Sequence, residues 1–193
     1  SPDDRYAYVG IFGFGLIRID SETGKQKFYE DNFNYVRGFE LELAHKMVNE
    51  IEWIDEVNIL VATGNGVRVF DTEKEVFSKD IFSGDNNESR LWVNSFEKIT
   101  DSEVFLSTQK GVLKSNIIEE NIEMFSEALD ITEGNSDLFY NKKDEELWIN
   151  IGNVGIDIVD LKSKHVTKLR ENNSPLLGKS FNNIIKDNQD NIW

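Results

Sequence analysis

The residue types that most often carry chemistry are few in this chain and lie far apart. The histidines are His45 and His165, in different parts of the sequence and without carboxylates at metal-ligand spacing, and cysteine is absent. Thiolate nucleophiles, disulfides and Cys-held zinc are therefore excluded. No phosphate loop, nucleophile elbow or zinc motif occurs. The stretch Gly10-Ile11-Phe12-Gly13-Phe14-Gly15 has the glycine density of a phosphate cradle. A strand rather than a helix N-terminus follows it, so it reads as a turn between strands. Asp187-Asn188-Gln189-Asp190-Asn191 gathers oxygens as a calcium loop does but has no downstream acidic ligand, and reads as a β-turn. The expectation is no catalytic residue, no metal and no cofactor. What remains is recognition. Arg37, Arg90, Trp92, Phe12, Phe14, Asn65 and Asn153 are the candidate ligand-binding residues. Arg offers planar multi-donor hydrogen bonding, and aromatic rings offer stacking surfaces for a sugar or a peptide.

Composition narrows the partners. Acidic side chains number 36 against 21 basic ones, for a net charge of −15. A surface of that sign does not meet nucleic-acid phosphates or anionic membranes, but it is open to a glycan or another small polar ligand. Apolar residues make up 39% and aromatics 11%, enough for a packed core. No apolar run approaches the ~20 residues of a membrane-spanning helix, and the opening SPDDRYAY has neither part of a signal peptide.

The elements that must position these residues follow from an internal repeat. Trp193, Trp148, Phe105, Leu60 and Tyr8 lie in similar phrases at intervals of 45, 43, 45 and 52 residues. Gly15, Gly66, Gly111 and Gly155 stand six or seven residues after the first four anchors in chain order, and Asp20, Asp71, Asn116 and Asp160 stand five beyond each Gly. Asn49, Asn94 and Asn182 precede three anchors by eleven residues, each followed two positions later by Ile51, Phe96 or Ile184. Each unit reads as four short strands: a first such as NEIEWI or NSFEKI, an Asp/Asn-rich turn, the anchor strand, a Gly turn, a strand ending in Asp, and an outer strand such as QKFYE or VTKLR. A four-strand unit with a period of ~40–50 residues defines an all-β fold, the β-propeller, in which each unit is a blade. The approximate repeats are 5–47, 48–92, 93–135 and 136–180, within one domain spanning 1–193 and with a further repeat starting at 181–193. Phe39–Lys46 has the composition of a short helix inside the longest connector.

The phrases FNNIIKDNQDNIW and ELWINIGNVGIDIVD, and more loosely EVNILVATGNGVRVFD, resemble the two-component regulator propeller repeat. Leu60, Phe105 and Tyr8 depart from that pattern by standing where it has Trp. The resemblance implies a ligand-sensing propeller of a membrane-bound signalling receptor, often a histidine kinase and often responsive to carbohydrate, in its periplasmic or extracellular portion. Two other functions stay open: a scaffold for protein–protein interaction, and a propeller glycan hydrolase or lyase. The stub Asp190–Trp193 favours a piece of a larger ring over a closed four-bladed one, with self-association through the end blades or contact with other receptor domains. Trp148 and Trp193, as anchors, are expected in the core between blades. Ligand binding is expected on the face that holds the long connectors 31–47 and 78–92 and the second-to-third strand turns.

Overall fold

A computed structural model describes residues 1–29, 46–81, 91–119, 121–132, 134–174 and 181–193. They form antiparallel sheets in two compact units, Ser1–Asn94 and Ser95–Trp193. In the first unit, β1 (Tyr6–Ile11), β2 (Gly15–Asp20) and β3 (Gln26–Tyr29) make one sheet, and β4 (Val48–Trp53), β5 (Asn58–Thr63), β6 (Gly66–Asp71) and β7 (Val76–Asp80) make another. The second unit holds β9 (Glu103–Thr108), β10 (Gly111–Asn116) and β11 (Asn121–Met124), whose sheet begins with β8 (Val93–Lys98) at the boundary, then β12 (Asn135–Asn141), β13 (Glu146–Ile151), β14 (Gly155–Asp160) and β15 (Val166–Leu169). Every sheet pairs its strands in chain order. Three of the sheets are the expected four-stranded meanders, the first has three strands among the described residues, and Phe39–Lys46 falls almost wholly outside those residues.

The repeat positions become equivalent structural positions. Tyr8, Leu60, Phe105 and Trp148 are each the third residue of a six-residue strand. They pair in turn with Arg18, Val69, Lys114 and Ile158 of the following strand. The recurring acidic or amide residue caps the turn after the third strand. Oδ1 of Asp71 accepts from the backbone N–H of Glu73 and Lys74 at 3.1 and 2.9 Å. Asn116 does the same for Ile118 and Glu119 at 3.0 and 3.1 Å, and Asp160 for Lys162 and Ser163 at 2.9 and 2.7 Å. A short side chain with an oxygen one carbon from Cβ reaches these amides without straining the backbone. Asp55 and Thr100 serve the first-to-second strand turns in the same manner.

The recurring Asn has a structural use as well. Asn49 donates to the Val93 carbonyl at 2.7 Å, tying β4 to the first residue of β8. In the second unit Asn150 donates to the Phe181 carbonyl at 2.6 Å, and Asp137, a buried carboxylate on β12, accepts from the Ile184 N–H at 2.9 Å. Burial pushes the Asp137 carboxyl up from its ordinary value.

The cores are aliphatic and aromatic. Leu16, Val48, Ile59, Val61 and Phe70 pack together in the first unit, with Tyr8 and Trp53 against them. Phe105, Val112, Leu138, Leu147, Ile149 and Ile151 pack together in the second. Trp148 corrects an expectation: it is only partly buried, because Leu147, Ile149 and Ile151 take the core, and its indole N–H donates to Glu146 at 3.0 Å. Trp193 is 72% exposed and donates to Asp187 at 2.8 Å, so it too lies outside a core. Ile149→Ala should therefore cost ~2–5 kcal/mol of stability, and Trp148→Ala less than Ile149→Ala. Urea titration of the two variants checks the order, and a larger loss for Trp148→Ala would contradict it.

Candidate functional site

The second-to-third strand turns of the first unit are held by the incoming first strands. Gly13 and Gly15 donate to the Lys46 carbonyl at 2.8 and 3.0 Å, Gly64 donates to Met47 at 3.0 Å, and Gly66 donates to Leu91 at 2.7 Å. Phe12 and Met47 form a β-bridge. These bonds place the β1–β2 turn, the β5–β6 turn and residues 91–92 at one end of the unit. Phe12 and Phe14 are 58% and 68% exposed there. The Phe12 ring lies 6.3 Å from that of the half-buried Trp92. Exposing aromatic surface on turns anchored by backbone bonds leaves a rigid apolar platform, a disposition suited to binding rather than to stability.

Asn65, in the β5–β6 turn, is 3% exposed, and its N–H is received by Thr63 Oγ1 at 3.1 Å, so it builds the turn instead of presenting itself on it. Thr63 also donates to Gly66 O at 3.0 Å, and Thr108 repeats the arrangement with Gly111 O at 2.8 Å. The sequence signal for this was Thr followed three residues later by Gly, in TGNG and TQKG. Asn153 lies exposed in the Gly152–Val154 turn of the second unit. Arg37 and Arg90 lie outside the described residues. His165 is exposed just before β15. Among the described residues no group of three or more His, Cys, Asp or Glu is placed to hold a metal.

The Asp187 turn is fully occupied by donors. Its Oδ1 accepts from the N–H of Gln189 and Asn191, at 2.8 and 2.9 Å, and its Oδ2 from the Asn191 amide and the Trp193 indole, at 2.9 and 2.8 Å. Those bonds hold the carboxyl well below the usual range. A carboxylate spent on four N–H donors is a turn organiser, as the sequence reading of a β-turn expects.

Sequence reasoning missed two arrangements. One is an ion pair in the second unit: Asp157 on β14 is fully buried and accepts from Arg170 Nη2 at 2.6 Å and from the Thr132 N–H at 2.7 Å. Its partners are distant in sequence and carry no motif. The other is a cleft in the first unit at the end opposite the exposed phenylalanines. Tyr6 and Tyr8 alternate on one face of β1, and Arg18 pairs across from Tyr8. The Arg18 guanidinium sits 4.2 Å from the Tyr6 ring centre and is ion-paired with Glu75, which also pairs with Lys27 and accepts from the Tyr29 hydroxyl at 3.1 Å. Burial together with that bond pushes the Tyr29 phenol well up, and the Lys27 bond holds the Glu75 carboxyl down. Tyr8 meets Trp53 edge-on at 5.6 Å.

No protein-family model matches the chain, and no curated protein matches it. Solved structures do. The extracellular domain described as that of the hybrid two component system BT3049 from B. thetaiotaomicron is 20% identical, with a TM-score of 0.71 over 98% of this chain and 24% of that one. The extracellular domain of the one component system BT4673, from the same organism, is 19% identical, with a TM-score of 0.73 over 98% of this chain and 24% of that one. The WD40 β-propeller domain of Doa1 is 11% identical, with a TM-score of 0.68 over 98% of this chain and 56% of that one. The chain thus spans about a quarter of the length of the first two structures. At these identities the likeness establishes the fold: the chain is built of β-propeller blades.

Proposed function

We propose that this chain is a non-catalytic, ligand-sensing propeller segment of a two-component signalling receptor, in the receptor's periplasmic or extracellular portion, and that its ligand is a glycan or another small polar molecule. The observation that carries the reading is the likeness, over 98% of the chain, to extracellular domains of two signalling systems. The exposed Phe12, beside Trp92, and the exposed Phe14 on the same turn offer a stacking surface for such a ligand. Arg37 and Arg90 are the proposed hydrogen-bonding partners; Asn153, exposed on the Gly152–Val154 turn, is a separate candidate contact within the second unit.

A glycan and peptide array followed by calorimetric titration tests this. Binding of a saccharide without release of smaller products, weakened about tenfold by Phe14→Ala, is the expected result; one lost ring contact is worth about that factor. Phe14 is mostly exposed, so the substitution leaves the fold intact. Cleavage of the bound saccharide would reject the sensing role. Equal affinity in Phe14→Ala, Arg37→Ala and Arg90→Ala would reject the assigned face.

A further inference from the structure

We propose a second binding subsite for a neutral saccharide in the cleft walled by Tyr6, Tyr8, Arg18 and Trp53, with Glu56 and Glu73 at its mouth. The inference rests on the reading of this chain as a ligand-binding domain but lies at the opposite end of the first unit from the phenylalanine platform. Its volume is about 470 Å³, within the ~300–1,000 Å³ range of small-molecule sites.

The walls are fixed before any ligand arrives. Tyr8 and Trp53 pack against the core cluster of Leu16, Ile59 and Phe70, and the edge-on contact at 5.6 Å sets their ring planes. Arg18 is held by Glu75 on one side and lies over Tyr6 on the other. Such a site loses little conformational freedom on binding.

The charges select the ligand class. Arg18 already occupies the Tyr6 face as a cation, so an ammonium guest would meet a like charge. Glu56 and Glu73 are both exposed at the rim and repel an anion. A hydroxyl both donates and accepts, and the cleft offers carboxylates to receive its proton, and guanidinium and phenol groups to donate to its oxygen. A sugar ring further presents a C–H face to Trp53. A neutral polyol can use both the carboxylates, to which Asp3 adds a third, and the donors of the cleft, whereas an ion of either sign meets a like charge there.

The test follows the indole N–H resonances of the chain by NMR, assigning Trp53 with Trp53→Phe. Maltose, cellobiose and mannobiose are titrated beside glucuronic acid and choline. The expected result is movement of the Trp53 resonance with at least one neutral disaccharide. It should persist in Phe14→Ala and need about tenfold more sugar in Glu56→Gln/Glu73→Gln, since hydrogen bonds to charged groups are worth that factor. Both glutamates are exposed, so the double variant keeps the fold. A titration unchanged in the double variant, or tighter binding of glucuronic acid or choline, would overturn the proposal. Movement of Trp92 alone would reject the cleft and leave the proposed function standing. Absence of movement at either indole with all neutral sugars would reject both.

Discussion

Replacing Gly155 with alanine should cost about 3 kcal/mol of stability or more. Two effects add. Gly155 has φ of 143°, a conformation that L side chains rarely adopt, and forcing one there costs ~1–3 kcal/mol. A Cβ at that position would also lie 2.2 Å from the Leu169 carbonyl oxygen, with the Arg170 side chain a further 3.1 Å contact. The first neighbour is backbone in β15, so relief requires the outer strand to move. Gly111 makes the contrast. It has φ of 116° and would meet Ser126 Oγ at 2.3 Å, but a hydroxyl can rotate away. Gly13, with φ of 84° and nothing within 4 Å, carries the backbone penalty alone. Urea unfolding of Gly155→Ala, Gly111→Ala and Gly13→Ala should give losses in that descending order. A loss for Gly155→Ala no greater than for Gly13→Ala would show that β15 yields freely.

That prediction also shows what the sequence made legible. The spacing from anchor to Gly to Asp located these turns, because a tight reversal needs a positive φ and its neighbour needs an oxygen cap; both requirements are local and leave a residue-type signature. The blade fold was readable for the same reason. The fate of the aromatic anchors was not. Trp148 and Phe105 occupy the same strand position, yet Phe105 is buried and Trp148 half-exposed. Which face of a strand becomes core depends on what the next sheet presents, and β13 meets that demand with Leu147 and Ile149. That Phe12 and Trp92 come together was legible, because connector residues adjoin the turns in any propeller. The cleft around Tyr6 and Trp53 was not, since it is assembled from β1, β2, the end of β4 and two short turns with no shared motif.

Removing the Asp157 carboxylate should be among the most damaging single changes in the second unit. Asp157 is completely buried and receives Arg170 Nη2 at 2.6 Å and the Thr132 N–H at 2.7 Å. Arg170 in turn donates to the Thr132 hydroxyl at 2.9 Å and to the carbonyls of Ile156 and Leu169 at 3.0 and 2.9 Å. Asp157→Ala leaves a largely buried guanidinium without its counter-charge and an amide without its acceptor. Breaking one side of a buried pair typically costs ~3–5 kcal/mol, a large part of the ~5–15 kcal/mol that holds a domain together. Removing both partners should cost less. Asp157→Leu/Arg170→Met replaces the pair with apolar volume, an exchange that is often near neutral, and leaves chiefly the Thr132 N–H unsatisfied at ~1–3 kcal/mol. A double-mutant cycle by urea unfolding should therefore show the double variant more stable than Asp157→Leu alone. Additive losses would mean that the two side chains do not act as a pair. The consequence reaches the exposed turn, because Arg170 packs beside Gly155, directly after the Gly152–Val154 turn that carries Asn153. Losing the pair should raise amide hydrogen exchange at residues 152–156 while leaving β9 and β10 protected, which separates local loosening of a candidate binding turn from global unfolding.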